Sequence, residues 1–115
     1  MTYGAPPTRT PLKPAVFHIL LALSQGQLHG LAIADSVEAE TEGDIRLGPG
    51  TLYRSLKEMS EAGLVAQVTG EAADPRRKVY ELTENGRTLV QVEAERLARV
   101  LEVARSRHVL GGGGQ

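Results

Sequence analysis

The chain contains no cysteine, which excludes disulfide scaffolds, zinc–thiolate centres and thiol nucleophiles. Tryptophan is absent as well, and three tyrosines and one phenylalanine make only 3% aromatic residues. Stacking surface for planar drugs is therefore scarce, which speaks against a multidrug-type sensor with a ligand pore between two copies. No apolar run approaches the roughly 20 residues of a membrane span. The first residues lack the charged-then-apolar layout of a signal peptide, so a cytoplasmic protein without a membrane partner is expected. An excess of charge is also missing, since 13 Lys and Arg stand against 14 Asp and Glu for a net charge of −1. Such a total does not advertise nucleic acid, and any case for it has to come from local charge. There is no Gly-rich phosphate loop, nucleophile elbow or HExxH sequence, so neither an enzyme nor a cofactor is expected. His18, His29 and His108 are too scattered for a metal site. Among the apolar residues around it, His18 reads as a hydrogen-bonded interior or rim side chain.

What the chain does have is 115 residues, 41% of them hydrophobic, enough for one folded domain with a small core. Pro6, Pro7 and Pro11 mark residues 1–13 as a flexible N-terminal arm, and the glycines of 111–115 as a flexible tail. A first helix is expected from Pro14 to Ser24, with Val16, Phe17, Ile19, Leu20 and Leu23 as its apolar face. A second is expected from Gly30 to Thr41, carrying Ile33, Ala34, Val37 and Thr41 inward and Asp35, Glu38 and Glu42 outward. Gly48-Pro49-Gly50 is a helix start rather than a phosphate loop, and it opens a third helix from Thr51 to Ala62. Leu52, Leu56 and Met59 form its buried stripe. Two strands, Leu64–Thr69 and Arg77–Leu82, read as a hairpin, with Tyr80 facing inward. Thr83 caps a last helix that reaches His108.

The fold class expected is mainly α with a small β-hairpin: a winged helix-turn-helix over residues 14–83, then a long dimerisation helix over 84–110. A DNA major groove admits one helix, whose polar and cationic side meets bases and phosphates. Thr51, Tyr53, Arg54, Ser55 and Lys57 supply that side here. Most amphipathic helices are simply solvated on their outer face, but this one is followed by Arg76, Arg77 and Lys78 on the hairpin. That is where a wing reaches a neighbouring phosphate path. On the last helix, Val90, Ala94, Leu97, Leu101 and Ala104 form a seam spaced four and three apart, widened by Val100. Pairing with a second copy would bury it.

Gly50-Thr51-Leu52-Tyr53-Arg54-Ser55-Leu56, followed by Glu61-Ala62-Gly63-Leu64, resembles the recognition-helix signature of the PadR-type transcriptional regulators. Arg76-Arg77-Lys78-Val79-Tyr80-Glu81-Leu82-Thr83-Glu84-Asn85-Gly86 resembles their wing strand and the start of their final helix, and His29-Gly30-Leu31 the opening of their second helix. Leu31 and Val79 depart from the pattern, standing where members often carry an aromatic. The single C-terminal helix resembles the smaller subfamily. The resemblance implies a homodimeric repressor on double-stranded DNA with a palindromic operator, released by a small-molecule effector of unknown identity or by a change in dimer geometry. By position Tyr53 would be the family's helix tyrosine, with a hydroxyl for a phosphate or a ring for packing. The alternative reading is a winged-helix protein-interaction module that binds no DNA.

Overall fold

The structure is a computed structural model of the chain and describes residues 8–68 and 78–111. Among the described residues seven elements follow in order: α1 (Pro14–Leu23), β1 (Leu28–His29), α2 (Gly30–Glu40), α3 (Pro49–Glu61), β2 (Val65–Gln67), β3 (Val79–Leu82) and α4 (Glu84–Ser106). The helices lie where the periodicity placed them. Pro49 itself opens α3, two residues before Thr51, because a proline in the first turn forfeits no helical hydrogen bond.

The core is one cluster drawn from every helix and from the sheet. Ile19, Leu20 and Leu23 of α1, Ile33 and Val37 of α2 and Leu52, Leu56 and Met59 of α3 are all buried in it. Leu64, Val65, Tyr80 and Leu82 close it from the hairpin side, and Val90 from α4. Thr41 ends α2 rather than filling the core: its hydroxyl donates to the Val37 carbonyl at 2.8 Å and accepts the Ile45 N–H at 3.0 Å. His18 lies on the rim, its Nδ1 2.8 Å from Glu40 Oε2, as expected of a partnered rim residue. Among the described residues no group of three or more His, Asp or Glu side chains could hold a metal ion. No described helix is long and apolar enough to cross a membrane.

The sheet has one strand more than the sequence announced. Its order is β1-β3-β2, both pairings antiparallel. Val65 faces Leu82 and Gln67 faces Tyr80 across the hairpin, while Leu28 faces Tyr80 and His29 faces Val79 on the other edge of β3. A two-residue strand has no period to read, and its partner lies about fifty residues away, so β1 is a tertiary effect.

The joint between hairpin and α4 is tightly built. Gly63, at φ 78°, takes the left-handed conformation that ends α3, with the Leu64 N–H returning to the Met59 carbonyl at 2.9 Å. Thr83 then caps α4. Its hydroxyl accepts the Gly86 N–H at 3.0 Å and donates to the Gly63 carbonyl at 2.6 Å. Gly86 sits directly on the backbone of Leu64, where a Cβ would collide with that residue's carbonyl.

The end of the expected arm is pinned. Leu12 is buried, and its N–H donates to Glu93 Oε2 at 3.0 Å. Glu93 lies on α4, only 2% exposed, and receives two further bonds from Arg96, Nε to Oε1 at 2.8 Å and Nη2 to Oε2 at 3.0 Å. The Arg96 bonds, opposed by burial and helped by the Leu12 N–H, hold the Glu93 carboxyl below the usual carboxylate range.

Candidate nucleic-acid interface

Helix α3 is mounted by its apolar stripe. Leu52, Leu56 and Met59 are all buried, which rotates Thr51, Arg54, Lys57 and Glu58 into solvent. Ser55 is half-buried at the edge of that face. Glu58 and Glu61 stand four residues beyond Arg54 and Lys57, a spacing at which helical ion pairs form. Neither pair closes: the described ion pairs involve His18, Arg46, Arg96 and Arg105 with carboxylates, and not Arg54 or Lys57. Among the described residues the guanidinium and ammonium of α3 thus have no carboxylate partner.

Lys78 immediately precedes β3 and is half-buried. It shares a groove with Tyr53, Lys57 and Ser60 of α3, so the structure brings one cation at the start of β3 alongside Lys57. Arg76 and Arg77 lie outside the described residues. The near-neutral total charge hides this local arrangement. Asp35, Glu38 and Glu42 are exposed on and just beyond α2, where Arg46 already answers Glu38 at 3.5 Å.

Tyr53 takes the packing role. Its ring is half-buried, and its hydroxyl presses on Gly30 at the start of α2, where any Cβ would overlap it. That hydroxyl is closed to solvent and has no hydrogen-bond partner among the described residues. The closeness explains His29-Gly30: only glycine lets the phenol approach the helix backbone. Tyr80 is buried as expected. Burial, and then the neighbouring Tyr53, push its phenol above the ordinary tyrosine value, leaving it a neutral hydrogen-bond donor at physiological pH.

The seam residues of α4 divide. Val90 is 7% exposed and belongs to the protomer's own core. Beyond it, Ala94 and Leu97 are exposed, Val100 and Leu101 are 52% and 42% exposed, and Ala104 is half-buried. Val92 and Val103 are exposed as well. The half of α4 beyond Arg96 therefore carries an apolar surface that the other described residues do not cover.

Three packed helices, a small antiparallel sheet and a long final helix define a winged-helix protein. The family model of the PadR-like transcriptional regulators matches residues 19–92, well over half the chain. The protein belongs to that family of transcriptional regulators. Among solved structures, a PadR-like transcriptional regulator from Bacillus cereus superposes with a TM-score of 0.64 at 20% identity, covering 84% of this chain and 90% of that one, a likeness of fold. RosR of h. salinarum gives 0.63 at 26% identity, over 88% and 98% of the two chains. An uncharacterized 37.1 kDa protein in transposon TN4556 of Streptomyces fradiae is 38% identical over 82 residues. That match takes in 71% of this chain and spans 22% of the longer protein.

Proposed function

We propose that the protein is a DNA-binding repressor that works as a homodimer on a palindromic operator and is released by an effector. The observation that carries this reading is the outer face of α3. Thr51, Arg54 and Lys57 are exposed there, its two cations have no carboxylate partner among the described residues, and Lys78 shares a groove with Lys57. In this reading Arg54, with Thr51 and Ser55, meets base edges, and Lys57, Arg76, Arg77 and Lys78 meet phosphates. Tyr53 contributes by fixing α3 against α2.

The second copy is supported by the uncovered half of α4. A protein free in solution seldom leaves so contiguous an apolar stripe exposed. A two-fold pairing through Ala94, Leu97, Val100, Leu101 and Ala104 removes it from water. The same axis would set two copies of α3 about one helical turn of DNA apart, ~34 Å, which is why the operator would be palindromic.

The test is a gel shift with DNA from upstream of the protein's own gene, run at several salt concentrations. Affinity that falls steeply with salt, and more steeply on unrelated DNA, supports the reading. Absence of binding at low salt contradicts it and leaves the protein-interaction module, for which the acidic outer side of α2 would be the contact surface.

A further inference from the structure

A groove of about 340 Å³ opens between α3 and the sheet. Tyr53, Leu56, Lys57 and Ser60 line it from the helix, and Lys78 and Tyr80 from β3 and the residue before it. We propose that this groove binds a small phosphorylated planar molecule, of which a mononucleotide is the simplest form, and that its occupation shuts DNA away from α3. The exclusion of DNA rests on the function proposed above; the binding itself does not.

Size comes first. The volume falls in the range of small-molecule sites and exceeds what a lone inorganic anion fills. Charge comes second. Two ammonium groups line the groove and no described carboxylate does, so an anion is favoured inside it. The groove at the turn after α1 differs: Glu81 and Arg87 both line it, and their charges offset one another. Hydrogen-bonding residues are present as well. Ser60 and Tyr80 line the groove with the Tyr53 ring, and Tyr80 stays a neutral donor.

Tyr53 supplies the independent sign of an absent partner. A buried phenol without an acceptor forfeits a hydrogen bond it would make in water. Its hydroxyl is confined against Gly30 without one among the described residues, while the residue borders the groove. A change of the Tyr53 χ1 rotamer that lifts the hydroxyl off Gly30 toward the cavity would give it a ligand oxygen as acceptor. The two tyrosine rings and Leu56 provide flat and apolar surface for a planar group, and aromatic side chains stack on nucleobases of any kind.

The position makes the site antagonistic to DNA. Lys57 lines the groove and stands three residues from Arg54 on the same helix. A phosphate held there neutralises one cation of the DNA-facing side and sets negative charge where the phosphate backbone has to approach.

The experiment uses the DNA-free protein, titrated calorimetrically with each of the four ribonucleoside 5′-monophosphates and with inorganic phosphate. At least one nucleotide should bind, roughly tenfold or more tighter than phosphate alone, and Y53F and K78Q should each weaken it by roughly tenfold. Y53F should melt no lower than wild type, since it deletes an unpartnered hydroxyl, so lost binding in that variant is not lost folding. No nucleotide binding, or binding unaffected by Y53F and K78Q, overturns the site. Phosphate binding as tightly as any nucleotide overturns the planar ligand. Saturating nucleotide should then displace the protein from upstream DNA; undisturbed DNA binding overturns the exclusion. A protein that binds nucleotide but never DNA overturns the exclusion and the proposed function together, with the groove assignment intact.

Discussion

The Glu93 carboxylate accepts the backbone N–H of Leu12 at 3.0 Å, joining residues 81 positions apart. Arg96 completes the arrangement with a two-pronged bond to the same carboxylate. One buried acid thereby fixes the segment that leads into α1 against the middle of α4, the helix on which the proposed dimer depends.

Glu93→Gln keeps the shape and removes the charge. The loss expected at pH 7 is about 1.5–3 kcal/mol, the range for hydrogen bonds to charged groups. Because the folded-state pKa is lowered, the carboxylate's contribution is fully present above the unfolded value of about 4.3. It is lost as pH falls through the lower folded value. The gap between wild type and E93Q in urea unfolding should therefore close as pH is taken from 7 toward 3. A gap independent of pH would mean that the charge contributes nothing.

Gly86→Ala should destabilise, although alanine in a helix ordinarily gains about 1 kcal/mol over glycine. The new methyl meets the Leu64 carbonyl, backbone that cannot turn aside, and overpacking of this kind costs about 1–3 kcal/mol. Thr83→Ala removes the cap of the same helix and should cost about 1 kcal/mol. Since the two residues share a hydrogen bond, the double variant should lose less than the sum. Urea midpoints for the three variants decide it, and a stabilised G86A would refute the close contact.

Leu101→Glu tests the second copy. At 42% exposure in the protomer, a glutamate there is compatible with a folded chain. Sedimentation should show a wild-type dimer and a folded, monomeric L101E, because a carboxylate in a closed seam is costly. A wild-type monomer at micromolar concentration, or an unchanged dimer in L101E, removes the interface.

On the DNA side, Arg77→Ala should weaken every DNA sequence alike and lower the salt slope by about one, as loss of a single phosphate contact does. Binding curves on operator and unrelated DNA at several salt concentrations measure this. A sequence-selective loss would move Arg77 from phosphates to bases.

The helices were legible because their apolar residues recur at helical spacing and their ends carry Pro14, Pro49, Gly63 and Thr83, all of which act locally. The inward side of β3 was legible from the alternation that buries Tyr80 and Leu82. Features set by tertiary contact were not. Leu28–His29 is a strand only because β3 lies beside it. Glu93 looks solvated in a run that also holds Glu95 and Arg96, and only the three-dimensional path of the chain puts Leu12 over it. A single helical stripe suited both the chain's own core and a partner. The structure assigns Val90 to the first and leaves Leu97, Val100 and Leu101 uncovered. For the candidate interface, residue types marked the cationic face of α3, whereas the pressing of Tyr53 on Gly30 depends on how α2 and α3 cross.

In the proposed function α3 reads DNA in two symmetric copies, and a hydroxyl-radical footprint of wild type and Arg54→Ala on the protein's own upstream DNA distinguishes this from any other mode of binding. Wild type should protect two half-sites about one helical turn apart, roughly 10–10.5 bp between centres, and R54A should lose ~1–3 kcal/mol of that binding. A single unpaired footprint, or an R54A footprint identical to wild type at the same concentration, would contradict it.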